Sequence, residues 1–237
     1  MPPFVIHTIP GSPFAAAALA TLEEKKAGYR VIAIEPGTLK QRPHLDLHPF
    51  GRMPVLDHGG FILYETQAIL RYLDRVLPEP RLTPSDPKQA ARMDQIMNIN
   101  DWYLFQGVAN VIAFQRIIGP KLMGLQPDEK AIAEAMPRGH IVFAELSRLL
   151  GSQRYFTGDV PSLADLHLAP QFAYLAMTPE WQTLTGSTAN LRDWLRHMTE
   201  RESLKATTWD RVAAVAERSR VRHSENAIGP AGSTDGQ

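Results

Sequence analysis

Three short stretches carry groups that can do chemistry. In PGSPF, residues 10–14, Ser12 stands directly before Pro13 and a run of strong helix formers. A serine there caps the helix by accepting from a first-turn N–H, and proline suits the first helical position because no N–H is needed. Capping is a sufficient reason for Ser12; the open question is whether its hydroxyl also meets a substrate. At Glu65-Thr66 a β-prone segment gives way to a helical one. Free backbone N–H groups and the positive end of the helix dipole point outward at such a junction and bind a carboxylate, although Thr66 has a role as a simple cap as well. Met53-Pro54 lies just before a strand, where a proline sits either trans at the first residue of an edge strand or cis at a cost of about 0.5–1 kcal/mol.

Composition narrows what this chemistry is. The 237 residues contain no cysteine, which removes disulfides, thiolate metal sites and any nucleophilic thiol of the protein's own. Thiol chemistry here must use another molecule's sulfur. Lysine plus arginine equals aspartate plus glutamate at 25 each, so no basic field exists to hold nucleic acid or an acidic membrane. With 44% hydrophobic and 21% charged residues the chain reads as a globular protein. No apolar run is long enough to span a bilayer, and the first residues, MPPFVIHTIPG, lack the pattern of a signal peptide. The expected address is cytoplasmic, with no membrane and no nucleic acid as partner.

These residues need elements to position them. Phe4 to Ile9 is a β-prone run, a Ser12-capped helix follows with Gly28 placed to end it, and Tyr29 to Glu35 is a second strand. That βαβ order implies a parallel pair with a right-handed crossover. MPVLDHGGFILYE gives two strands around His58-Gly59-Gly60, good hairpin chemistry, and Ile69, Leu70, Leu73, Val76 and Leu77 recur at helical spacing until Pro78. The proline-dense LPEPRLTPSDP, residues 77–87, reads as a stiff, exposed connector. Beyond it everything is helical: Met93, Ile96, Met97, Asn100 and Leu104 share one face, Pro137 is expected to kink or split the segment 128–150, and Ser162 with Asp165 has capping-box spacing. The predicted fold is α/β plus all-α: a thioredoxin-like βαβ-ββα domain at 1–78, a linker at 79–88 and an all-helical domain at 89–220. The tail 221–237 lacks periodicity and is expected to be disordered.

The words SPF, HPFGRMPVL, YETQAILRYL and GDVPSLADLHL, in this order, resemble the soluble glutathione S-transferases, of the serine-type and bacterial-like kind, over the whole chain except the tail. The resemblance implies a transferase that adds the glutathione thiolate to a small hydrophobic electrophile in detoxification, with glutathione as co-substrate, no metal, and a homodimer. It gives Ser12 the hydroxyl that activates the thiol, with Thr8 as a second candidate. It makes Met53-Pro54 a cis pair that offers main-chain groups to the tripeptide. The γ-glutamyl end goes to Glu65 and Thr66, the glycyl carboxylate to Lys40 with Arg52 as substitute or helper, and a neighbouring subunit's ammonium to Asp101. One departure stands out: members of the serine type often carry an arginine about five residues after the serine, where this chain has Ala17.

The electrophile is expected between the domains, where two-domain proteins commonly bind small molecules. DWYLFQGVANVIAFQR supplies Trp102, Tyr103, Phe105, Phe114 and Arg116 nearby, with Phe14 from the first helix. The sites selected for it are Phe14, Tyr103, Phe114 and Arg116. Two other readings keep the same site: a glutathione-dependent peroxidase or disulfide reductase, and a non-catalytic binding or assembly module.

Overall fold

The computed structural model describes residues 2–227. A four-stranded sheet in the order β2-β1-β3-β4 is built from β1 (Phe4–Thr8), β2 (Tyr29–Ala33), β3 (Val55–His58) and β4 (Phe61–Tyr64). β1 and β2 run parallel, with Phe4 opposite Tyr29, while β3 is antiparallel to both β1 and β4. The crossover is α1 (Pro13–Glu24), and α2 (His44–Leu47) and α3 (Thr66–Val76) complete the first domain. Gly59 and Gly60 both have positive φ, at 64° and 89°, as a two-residue type I′ hairpin requires.

α1 is buried along nearly its whole length because alanine dominates it: Ala15, Ala17, Ala18 and Ala20 are each at most 1% exposed. Small side chains let α1 pack closely against α3 and against α8 (Leu163–Ala176) of the helical domain. One apolar core therefore runs through both domains, from Phe4 and Ile6 to Phe172 and Trp194. α1 ends earlier than its glycine suggests. Lys26 takes the left-handed conformation at φ 53°, and the N–H of Ala27 reaches back to Leu22 O at 3.0 Å. This Schellman-type end leaves Lys25 turned inward to Asp74 of α3.

The connector is exposed over most of its length, as its prolines suggest, and it is anchored to the first domain around Leu82. Asp74 accepts from the N–H groups of Leu82 and Thr83, at 3.0 Å each, and Lys25 donates to Pro80 O at 2.6 Å. Leu82 is 3% exposed and its carbonyl accepts from Leu163 N–H. α4 (Pro87–Ile99) follows, capped by Asp86.

Asn100–Ala109 continues α4 with wider turns and breaks at Gln106 and Gly107, where Gly107 has φ 84°. α5 (Asn110–Ala113), a second wide segment at Phe114–Ile118 and α6 (Gly119–Met123) come next. α7 (Glu129–Leu150) runs unbroken through Pro137, so the expected kink does not divide it. Ser162 and Asp165 form the capping box of α8, and Asp165 also accepts from Phe156 N–H and Trp194 Nε1. α9 (Glu180–Leu184), α10 (Ala189–Thr199) and α11 (Glu202–Lys205) precede α12 (Trp209–Ala227). α12 packs along β2, and Ser219 Oγ accepts from Val31 N–H, an otherwise unpaired edge donor. The helix thus carries the chain past residue 220; residues 228–237 of the expected tail lie outside the described residues.

Candidate active site between the domains

A cavity of about 670 Å³ lies where the end of β1, the start of α3 and the helical domain meet. Ser12, Arg52, Met53, Pro54, Glu65 and Thr66 all line it. Ser12 caps α1, its Oγ accepting from Ala15 N–H at 3.3 Å. Both roles raised for it are therefore compatible, because a capping hydroxyl uses a lone pair and keeps its own hydrogen. Among the described residues that O–H has no acceptor, and Ser12 is 9% exposed, on the cavity wall. Thr8 is fully buried, donates to Ile9 O and does not line the cavity. Ala17 is equally buried, facing the core.

The Met53–Pro54 peptide is cis. Met53 Sδ accepts from Ile9 N–H at 3.2 Å, which ties this loop to the segment leading to Ser12. His44 Nε2 lies 2.8 Å from the Arg52 carbonyl and holds the same loop from below. Glu65 has φ 69° and ψ 112°, a region that costs a non-glycine residue about 1–3 kcal/mol and recurs at ligand sites. Its carboxylate makes no ion pair among the described residues, and neither does the Arg52 guanidinium. Two uncompensated charges of opposite sign on one wall fit a zwitterionic ligand. Thr66 occupies the first turn of α3 without capping it, and its hydroxyl has no intramolecular partner among the described residues.

Lys40 does not line the cavity. Its Nζ donates to the Phe50 carbonyl, beside the lining residue Gly51. Asp101 lines the cavity but is committed within its own chain. His167 Nε2 and Gln67 Nε2 each donate to it at 2.7 Å, with Asn100 Nδ2 at 3.1 Å. Burial alone would raise its carboxyl; these hydrogen bonds prevail and hold it below the usual range. Asp101 thereby ties α8 and the start of α3 together around the site. His48, for which the sequence offered no role, also faces the cavity, stacked on Tyr64 at 4.5 Å. Burial first, and then its neighbours His44, Arg52 and Lys40, push its imidazole down.

The apolar side differs from expectation. Phe14 lines it, edge-on to Phe105 at 4.7 Å, and Trp102, Ile118, Leu122 and Trp209 add to it. Tyr103, Phe114 and Arg116 do not line the cavity. Tyr103 is 56% exposed, and Arg116 is held by Glu129 and Glu180. The segment 100–109 has wider turns than an α-helix and breaks at Gln106 and Gly107, and it turns Trp102 and Phe105, not Tyr103, to the cavity. Trp209 comes from α12, at the far end of the chain from the Gly11 loop it covers, and only tertiary packing reveals it.

A thioredoxin-like domain joined to a helical bundle, with a cavity at their seam that presents a free hydroxyl and two unpaired charges of opposite sign, defines a two-domain protein able to hold a zwitterionic small molecule. Comparison with known proteins makes it specific. Residues 2–75 match the glutathione S-transferase N-terminal domain and residues 108–202 the C-terminal domain. A glutathione S-transferase of Hypomyces subiculosus is 35% identical over 199 residues, covering 81% of this chain and 92% of that protein. One from Hyoscyamus muticus is 31% identical, covering 80% and 90%. The crystal structure of poplar glutathione transferase F1 superposes with a TM-score of 0.77 at 25% identity, covering 92% of this chain and all of that one. The chain belongs to the glutathione S-transferase family, and its reaction is the conjugation of glutathione, its co-substrate. Among the described residues no cluster of side chains could hold a metal ion, and no helix is long and apolar enough to cross a membrane.

Proposed function

We propose the following division of labour for the conjugation of glutathione to a small apolar electrophile. Glutathione lies along the α3 side of the cavity. Its γ-glutamyl carboxylate meets Thr66 and the N-terminus of α3, its ammonium meets Glu65, and its backbone pairs with the main chain at Met53-Pro54. Arg52 faces the glycyl carboxylate, and Lys40, next to the wall, joins it when its side chain leaves the Phe50 carbonyl.

The observation that carries this reading is the Ser12 hydroxyl, on the wall at the N-terminus of α1 with its hydrogen unspent. A thiol of ordinary pKa, about 8.5, is only ~3% ionised at pH 7. Lowering it by about two units takes roughly 2.7 kcal/mol of preferential stabilisation of the anion. One O–H···S⁻ hydrogen bond together with the dipole of α1 supplies an energy of that size. Ser12 is thus a donor to the anion and not a nucleophile. The thiol proton leaves to solvent, the sulfur lone pair forms the new S–C bond, and the electrophile gives up a leaving group or takes a proton. Phe14, Phe105, Trp102, Ile118, Leu122 and Trp209 form the apolar surface for the electrophile.

Steady-state conjugation assays on Ser12→Ala test this. Turnover falls by about 10- to 30-fold, the kinetic equivalent of losing most of that stabilisation, while glutathione KM stays within a few-fold. Turnover equal to wild type removes Ser12 from the mechanism. A homodimer in the cytoplasm is the quaternary state and location that we assign on the family's habit. Light scattering at micromolar concentration checks the former, with twice the 26.4 kDa chain mass expected.

A further inference from the structure

The peptide unit that joins Gly11 to Ser12 is fastened at both polar ends. Its N–H, on Ser12, donates to Ile9 O at 3.2 Å. Its carbonyl, on Gly11, accepts from the hydroxyl of Tyr174 at 2.7 Å. The first bond belongs to the local turn, whereas the second arrives from α8 across the seam between the domains. Trp209, at the start of α12, packs so tightly on the same glycine that a Cβ on Gly11 would lie 2.5–2.7 Å from three ring atoms. Gly11 has φ 95°, which glycine adopts without strain. Trp209 is itself held, with Lys121 Nζ of α6 3.9 Å from its ring centroid and the Tyr174 ring edge-on at 6.5 Å.

Two elements of the helical domain, α8 through Tyr174 and α12 through Trp209, therefore converge on the backbone one residue ahead of Ser12, and α6 braces Trp209 through Lys121. The direction in which Ser12 points its Oγ follows from the plane of this peptide. Two of the local bonds at Ser12, its N–H to Ile9 O at 3.2 Å and Ala15 N–H to its Oγ at 3.3 Å, are long, while Ala16 N–H to Ser12 O at 2.9 Å holds the peptide that follows. On the Gly11–Ser12 peptide itself the bond from Tyr174, at 2.7 Å, is the shorter of the two.

We propose that Tyr174 is a positioning residue for thiol activation: by holding the Gly11 carbonyl it fixes the peptide plane that aims the Ser12 hydroxyl at the glutathione sulfur, and Trp209 blocks the alternative plane. Tyr174 does not line the cavity, so it acts only through that peptide. Burial, reinforced by the Asp210 carboxylate, pushes its phenol up to about 12, and it remains a donor at any working pH. The inference rests on Ser12 being the thiolate donor.

Tyr174→Phe keeps the ring and removes only the hydroxyl. The thiolate absorbance of bound glutathione is followed against pH in wild type, Tyr174→Phe, Ser12→Ala and the double variant, alongside melting temperatures. The thiol pKa in Tyr174→Phe rises by about 0.5–1 unit, the equivalent of a weakened hydrogen bond. At pH 6.5, chosen to lie near the depressed thiol pKa, kcat falls by about two- to fivefold with glutathione KM unchanged within about twofold. In the Ser12→Ala background the same substitution adds no further rise.

A thiol pKa equal to wild type in Tyr174→Phe, with only the melting temperature lowered, makes Tyr174 merely structural and overturns the proposal. An equal rise in both backgrounds also overturns it, because the effect would then bypass Ser12. A Ser12→Ala variant with unshifted thiol pKa fails the underlying reading first, and is told apart by that single measurement. If Tyr174→Phe does not fold, Trp209→Phe serves with the same expected sign and the same overturning result.

Discussion

Removing the Asp74 carboxylate should cost more stability than any exposed ion pair can account for. Asp74 is 9% exposed and receives three donors, namely Lys25 Nζ and the backbone N–H groups of Leu82 and Thr83. The Lys25 side chain is 0% exposed, so Asp74→Ala leaves a buried ammonium with only the Pro80 carbonyl for company. Breaking one side of a buried pair costs about 3–5 kcal/mol. The two orphaned connector N–H groups, free to find water once the connector loosens, add about 1 kcal/mol or more. A total of about 4–6 kcal/mol lowers the melting temperature of a chain of this size by roughly 8–24 °C. Urea or thermal unfolding of Asp74→Ala measures it. Asp74→Ala with Lys25→Met, which removes the stranded charge, should recover about 2 kcal/mol relative to the single variant. Burial pushes the Asp74 carboxyl up, but hydrogen bonds from Lys25, Thr83 and Leu82 prevail and hold it below the usual range. Its contribution is therefore complete above about pH 4, the ordinary carboxylate pKa, and is lost as pH falls through the lower folded value. A single-variant cost under about 1 kcal/mol, or a double variant less stable than the single one, refutes the argument that the cost comes from an unpaired buried charge.

Two further substitutions separate site from scaffold. Glu65→Gly relieves the backbone at φ 69° and removes the carboxylate, so the melting temperature should rise, by about 1 kcal/mol in stability, while glutathione KM increases by about 10-fold or more for the lost charge-assisted contact; stability and KM both unchanged would deny Glu65 both parts of this account. Arg116→Ala deprives Glu180, itself 9% exposed, of its cation, so it should destabilise by about 2–3 kcal/mol and leave electrophile KM within about twofold. A selective rise in that KM would return Arg116 to the electrophile subsite.

Where a sequence signal is local, it was legible. The βαβ-ββα succession of elements, the Gly59-Gly60 turn, the Ser162–Asp165 box and the N-terminus of α3 depend on neighbours in the chain, and their residue types announced them. That Ser12, Pro54, Glu65 and Thr66 meet at one cavity was legible for the same reason, since each sits at or beside an element end. Long-range geometry stayed hidden. The connector is anchored by Lys25 and Asp74, 49 residues apart, with no signature in its prolines. Tyr103, Phe114 and Arg116 were selected for lying in the segment nearest the expected cleft, and which of its side chains face the cavity depends on the wide turns and the break at Gly107, which residue type does not announce. Pro137 was expected to divide α7, yet packing of Val142, Phe143 and Leu146 on one side and Ile132 and Ala135 on the other carries the helix through it. Trp209 reaches Gly11 only because α12 lies along β2, a placement that no spacing rule contains.

The central claim is that the Ser12 hydroxyl holds glutathione as its thiolate. An ultraviolet difference titration of glutathione into wild type and Ser12→Ala, following the thiolate band against pH, tests it most directly. The account predicts a band that titrates about two units below the free thiol in wild type and close to the free thiol in the variant. Glutathione bound to wild type without a thiolate band, or the same depressed pKa in both proteins, would contradict it and leave Ser12 as the cap of α1 alone.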